Sequence, residues 1–163
     1  THIGTNVFAS CHSLTSVTIP DGITSIEGHT FQNCYSLTSI TIPESVTSIG
    51  YGAFYGCKSL TSINVPESVT SIGHFAFEGC SSLTSVIIPD SVTLIGAYAF
   101  TRCDNIETVV LGSGVEKLDA GNINDDTYRS EKKQYIGDIQ DYSNPVTLFL
   151  RCRVLAFHPI SIL

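Results

Sequence analysis

The chain has 163 residues, enough for one ordinary domain, and is 42% hydrophobic with only 14% charged side chains. That composition excludes a disordered segment and a coiled coil, and no apolar run reaches the ~18 residues of a membrane-spanning helix. The net charge of −7 is unevenly placed: residues 1–111 hold eight acids against Lys58 and Arg102, a balance of −6. An acidic body without a basic stripe argues against nucleic acid and anionic membrane as partners, and against direct membrane insertion. The chain begins at Thr1 and contains no methionine, which predicts a fragment or a processed chain.

The dominant feature is repetition, which decides architecture before any local pattern does. Phe8, Phe31, Phe54, Phe77 and Phe100 lie 23 residues apart, and so do Cys11, Cys34, Cys57, Cys80 and Cys103. The same interval relates Pro20, Pro43, Pro66 and Pro89, as it does Ile26, Ile49, Ile72 and Ile95. Leu14, Leu37, Leu60 and Leu83 form a further ladder, with Ile106 in the fifth place.

Along one unit, Leu37-x-x-Ile40-x-Ile42 alternates apolar and polar residues and is rich in β-branched side chains. It predicts a short strand with Ile40 and Ile42 inward and Ser39 and Thr41 outward. Across the array the strands fall near 17–19, 40–42, 63–65, 86–88 and 109–111. Pro43 removes a ladder donor and ends the strand. Val46 and Ile49 predict a second short extended or turn segment, followed in most copies by a glycine such as Gly50, Gly73 or Gly96. The Ala53 to Cys57 portion is too short for a stable helix and predicts a single helical or 3₁₀ turn with Phe54 and Cys57 on one side. A lone unit cannot bury enough apolar surface to hold itself together, so the units must stack into a solenoid.

These residues resemble the leucine-rich repeats, and more closely the BspA-type subclass, whose units read approximately L-x-x-I-x-I-P-x-x-V-x-x-I-G-x-x-A-F-x-x-C. Leu37, Ile40, Ile42, Pro43, Val46, Ile49, Gly50, Ala53, Phe54 and Cys57 match it, and so do Leu60 to Cys80 and Leu83 to Cys103. The resemblance implies a β-rich, right-handed leucine-rich-repeat horseshoe, with parallel strands on the concave side and short turns or 3₁₀ segments on the convex side. It also implies an extracellular or cell-surface protein of bacteria or protozoa, in which such arrays serve adhesion and partner binding. The array takes up residues 1–118, about five 23-residue units of which the first starts mid-repeat. After Leu111 the pattern decays: Gly112 replaces the proline, Asp119 the glycine, Ile123 the phenylalanine and Asp126 the cysteine. Residues 119–163 form a divergent tail, either a C-terminal cap or a disordered or truncated end.

No residue announces chemistry. The cysteines lack any C-x-x-C, which argues against zinc. Disulfides between stacked repeats are conceivable by spacing, but parallel Cβ vectors disfavour them. The simpler reading makes each cysteine of the ladder a small buried hydrophobe beneath the phenylalanine column; Cys152 lies outside it. His2, His12, His29, His74 and His158 share no repeat position and no acid at metal spacing. There is no G-x-S-x-G elbow and no G-x-G-x-x-G phosphate loop, so neither catalysis nor a cofactor is expected. What remains is a surface for a protein or glycan ligand: two outward columns, Ser16, Ser39, Ser62, Ser85, Thr108 and Thr18, Thr41, Asn64, Ile87, Val110. Asp21, Glu44, Glu67 and Asp90 line one margin. The binding residues expected there are Ser39, Thr41, Ser62, Asn64, Ser85, Ile87, Thr108 and Val110. The alternative is a passive spacer, favoured by the near-identity of the units.

Overall fold

Each 23-residue unit folds as one turn of a solenoid with three sides, as seen in a computed structural model that describes residues 2–118. The first side is the strand read from the Leu-x-x-Ile-x-Ile pattern. In chain order the strands are β1 His2–Ile3, β2 Ser16–Thr18, β3 Ser25–Ile26, β4 Ser39–Thr41, β5 Ser48–Ile49 and β6 Ser62–Asn64. They continue with β7 Ser71–Ile72, β8 Ser85–Ile88, β9 Leu94–Ile95, β10 Thr108–Leu111 and β11 Lys117–Leu118. The even-numbered strands make a five-stranded sheet in the order β10-β8-β6-β4-β2, all parallel and in register, so that Val17 faces Ile40 and Ile63 faces Val86. Its strands start one residue earlier than the alternation suggested, because the outward serine or threonine joins the ladder.

The second side resolves the alternative left by the sequence. The segment around Ile49 is extended rather than a turn, and β1, β3, β5, β7, β9 and β11 form a six-stranded parallel sheet of their own. Two-residue strands are too short to show alternation, so the pattern that reveals the first sheet is absent here.

The third side is the Ala-Phe-x-x-Cys portion, and it is not a helical turn. Two residues per unit hold positive φ, at His29 (57°) and Asn33 (57°), Gly52 (57°) and Gly56 (70°), Phe75 (58°) and Gly79 (73°). They interrupt any helix, and backbone N–H groups alternate between two directions. The N–H of Tyr55 donates back to Gly52 (3.0 Å) and that of Cys57 to Phe54 (3.1 Å), closing tight turns. The N–H groups of Gly52, Phe54 and Gly56 donate forward to the carbonyls of His74, Ala76 and Glu78 at 2.9, 2.8 and 2.7 Å. The same three columns recur from repeat to repeat. All their peptide units point one way, carbonyls towards the first repeat and N–H groups towards the last, whereas strand dipoles in a sheet largely cancel.

The core lies between these sides. Ile26, Phe31, Cys34, Leu37, Ile49, Phe54, Cys57, Leu60, Ile72, Phe77, Cys80 and Leu83 are all buried. Phe8, Phe31, Phe54, Phe77 and Phe100 stack as a continuous spine, with ring centroids 5.2–5.3 Å apart. Such pairs contribute ~0.5–1.5 kcal/mol each beyond their buried area. Gly50, Gly73 and Gly96 let successive turns approach backbone to backbone: a Cβ on Gly73 would lie 2.7 Å from the Gly50 carbonyl carbon. The expectations for residues 119–163 and for Cys152 fall outside the described residues.

Candidate functional site

Period-2 alternation carries the outward columns to solvent while Ile40, Ile63 and Val86 go to the core. Ser39, Thr41, Ser62, Asn64, Ser85 and Ile87 are exposed on β4, β6 and β8. The register sets Thr41 beside Asn64, Ser62 beside Ser85 and Asn64 beside Ile87. On the next strand Thr108 pairs with Ser85 and Val110 with Ile87. All eight expected residues therefore belong to one sheet. Its apolar end is open to water, with Ile87 62% and Val110 40% exposed.

Asp21, Glu44, Glu67 and Asp90 form an exposed column directly after the proline that ends each strand. The loop carrying them is held by a serine rung: Ser45 Oγ donates to the Ile23 carbonyl (2.7 Å), Ser68 Oγ to Val46 (2.7 Å) and Ser91 Oγ to Val69 (2.8 Å). Asp90 also accepts from the N–H (2.6 Å) and the hydroxyl (3.1 Å) of Ser113.

The cysteines do more than fill space. Cys34, Cys57, Cys80 and Cys103 each donate a thiol hydrogen bond to the phenylalanine carbonyl 26 residues earlier, at 3.1–3.3 Å. Sequence spacing aligned the cysteines but gave no sign of that partner, which lies in the preceding repeat. The five cysteines among the described residues are free thiols, so the disulfide alternative is not realised there. Burial pushes the Cys34 thiol up to about 11 and the Cys57 thiol up to about 12, which keeps both protonated and inert. The buried Cys80 thiol is pushed well above its ordinary value for the same reason. Cys11, in the first repeat, is exposed.

The abundance of threonine also has a structural cause that outward propensity did not reveal. Thr38 Oγ1 donates to the Thr15 carbonyl (3.3 Å) and Thr61 Oγ1 to Thr38 (3.3 Å). A second column repeats this from Thr47 to Thr24 (3.1 Å) and from Thr70 to Thr47 (3.2 Å).

Two further groups stand on the third side. Tyr51, Phe75 and Tyr98 make an aromatic strip with centroids 5.3 and 5.0 Å apart, and His29 meets Tyr51 edge-on at 5.0 Å. Glu78 is buried there, 3.6 Å from Arg102. Burial pushes its carboxyl up, and the Arg102 guanidinium offsets part of that rise. Among the described residues no three His, Cys, Asp or Glu side chains gather as metal ligands would.

The repeat geometry agrees with family comparison. Residues 1–128 match the BspA type leucine rich repeat region in six copies. The chain belongs to the BspA-type leucine-rich repeat family. A leucine-rich repeat protein from Bacteroides ovatus is 39% identical over 70% of this chain and 30% of its own, with a TM-score of 0.67. The T. pallidum leucine-rich repeat protein TpLRR is 33% identical over 75% of this chain and 63% of its own, with a TM-score of 0.69. The pneumococcal vaccine antigen PcpA shares the fold at 24% identity and a TM-score of 0.61, covering 64% of this chain and 26% of its own. This BspA-type chain thus spans less than two thirds of the length of each. No curated protein matches it in sequence.

Proposed function

We propose that this BspA-type array is a non-enzymatic binding module of a surface or secreted protein, and that its partner docks on the outer face of the five-stranded sheet. The observation that carries this reading is Ile87, 62% exposed in register with the exposed Val110, on a face otherwise lined by serine, threonine and asparagine. Inward positions are nearly constant between repeats because the core dictates them. Thr41, Asn64, Ile87 and Val110 vary where packing makes no demand, and exposed apolar patches on soluble proteins often mark interfaces. Of the ligand classes, a protein fits this face better than a glycan. Sugar rings stack on aromatic faces, and none of the eight residues here is aromatic.

A second reading, a passive spacer, is favoured by Ser16, Ser39, Ser62 and Ser85, which do not diversify at all. Ile87→Asp separates the two. Capture of surface proteins and of an immobilised glycan panel is measured beside the melting temperature. Protein capture lost at unchanged melting supports the proposal, whereas glycan capture lost instead changes the ligand class. A lowered melting temperature assigns Ile87 to packing, and no change in any readout leaves the spacer reading standing.

A further inference from the structure

We infer that the third side carries a second site, an aromatic strip that binds a neutral polysaccharide independently of the sheet face. Tyr51 is its centre, with Phe75 and then Tyr98 towards the last repeat and His29 towards the first. Neighbouring ring centroids lie 5.0, 5.3 and 5.0 Å apart, so the strip crosses four successive turns without a break. Tyr51 is 49% exposed, more than any other phenylalanine or tyrosine among the described residues. It is turned 55° from Phe75 and 63° from His29, so neither ring lies flat against it.

The repeat itself does not call for these rings. Other turns fill the position of Tyr51 with Gly28 and Ala97, and that of Phe75 with Asn6 and Gly52. Phe75 and Tyr98 moreover hold φ of 58° and 59°, a left-handed conformation that glycine takes freely and bulky side chains avoid. Gly52 shows that the turn closes as well without a side chain. Its φ is 57°, and its N–H donates forward to His74 at 2.9 Å just as that of Phe75 donates to Ala97 at 2.9 Å. Stacking of Phe75 on Tyr98 offsets part of the strain. It does not explain why two aromatic rings in succession replace glycine on an outer surface, and strained residues of this kind gather where ligands are held.

The chemistry of the strip selects the ligand. A sugar ring offers a patch of C–H groups and a rim of hydroxyls, which match an aromatic face and a tyrosine hydroxyl. Neither sheet provides this, since no strand contains phenylalanine or tyrosine. A peptide strand finds no ladder to join here. The N–H groups of Gly52, Phe54 and Gly56 already donate to His74, Ala76 and Glu78 of the next turn, which leaves ring stacking as what this side can offer. Charge narrows the class further. Residues 1–111 hold eight acids against two cations, so an anionic glycan is repelled and a neutral one is not. Rings contributed by four turns suit an extended chain of sugars rather than a single one.

The test is native affinity electrophoresis of the full chain in gels holding a soluble β-glucan, α-glucan, mannan or galactan, with polygalacturonate as the anionic control. At least one neutral polysaccharide should retard the chain, and the apparent affinity should change less than about twofold between 50 and 300 mM salt, since no charge is screened. Tyr51→Ala should weaken it about tenfold at unchanged melting temperature, whereas Tyr51→Phe keeps the stacking ring and most of the affinity. Phe75→Gly, the residue that Gly52 shows the turn accepts, should weaken binding without lowering the melting temperature. Ile87→Asp should leave binding unchanged, which separates the strip from the sheet face. No retardation by any neutral polysaccharide, retardation by polygalacturonate alone, or full binding by Tyr51→Ala overturns the inference. So does loss of binding in Ile87→Asp, which would put the glycan on the sheet. If Tyr51→Ala abolishes capture of surface proteins instead, the strip is a protein site and the polysaccharide falls. Lowered melting in both Tyr51→Ala and Phe75→Gly would assign the rings to packing and also overturn it.

Discussion

At the scale of single residues, the thiol ladder is where spacing and structure say most about each other. The regular cysteines gave away their burial, but the carbonyl each one meets belongs to the preceding repeat and could be seen only once the turns were stacked. That partner alters what a substitution does. In Cys57→Ser the new hydroxyl lies near the Phe31 carbonyl and keeps an acceptor, so the loss should be about 1 kcal/mol rather than the full cost of an orphaned hydroxyl. Urea unfolding of the variant checks this; a loss above about 3 kcal/mol would mean that the hydroxyl finds no partner. Alkali should weaken the fold as well. The folded Cys34 and Cys57 thiols sit above their ordinary value of 9.0, at about 11 and about 12. The folded state therefore binds more protons than the unfolded chain between those values. Their contribution is complete below pH 9 and is lost as pH climbs towards 11 and 12. Glu78 follows the same sign at a lower pH, because its carboxyl is also raised. Its charged form opposes folding, so stability drawn from it is present in acid and lost as pH rises. Glu78→Gln should melt higher than the parent at pH 7, and the gap should close as pH falls through the ordinary carboxylate range. A gap that widens in acid would mean that the Arg102 pairing outweighs burial.

At the scale of elements, three sides of one turn differ in how plainly the sequence writes them. The Leu37 to Ile42 strand is legible because alternate burial fixes alternate side chains; its start was misplaced by one residue, and in β2, β4 and β6 its end was too. The Ser48–Ile49 strand is half hidden, since two residues carry no period. The turn layer is legible as a turn with Phe54 and Cys57 inward, but its conformation is not. It is specified by backbone conformation at positions where Asn6, His29, Gly52, Phe75 and Tyr98 share a φ of 57–61° and no side-chain chemistry. The glycines that follow the second strand carry the clearest prediction here. Gly73→Ala places a Cβ 2.7–2.9 Å from the backbone of Gly50 and Tyr51, atoms that cannot swing away as a side chain would. It should cost about 3 kcal/mol, at the upper end of overpacking. Gly22→Ala is the control: its added Cβ meets nothing, and only its φ of 88° is strained, so about 1 kcal/mol is expected. Thermal or urea unfolding ranks the two, and equal losses would show that the turns can slide apart to admit a methyl.

At the scale of the whole molecule, stability should be distributed by position in the stack rather than by residue type. A repeat array behaves as a row of units coupled only to their neighbours, so opening an outer unit breaks one interface and opening an inner one breaks two. With residues 1–163 produced alone, the repeat around Phe8 is the outer one and already shows the difference. Phe8 and Leu14 are half-buried and Cys11 is exposed, while Phe54, Leu60 and Cys57 are fully buried. The polar turn layer supplies matched reporters, because the N–H groups of Phe8, Phe31, Phe54 and Phe77 all donate forward to the next repeat at 2.8–2.9 Å. All four are phenylalanine amides with near-identical bond lengths, so once the intrinsic rates are corrected for the preceding residue (Val7, Thr30, Ala53, Ala76) their exchange reports opening. Native-state hydrogen exchange should find Phe8 fastest, Phe31 slower and Phe54 slowest, with steps set by the number of interfaces broken. Equal rates at all four would mean that the stack opens only as one unit, with coupling between repeats too strong for any of them to fray. A Phe8 amide slower than Phe54 would contradict the nearest-neighbour description outright, since the first repeat would then be held by something other than the turn that follows it.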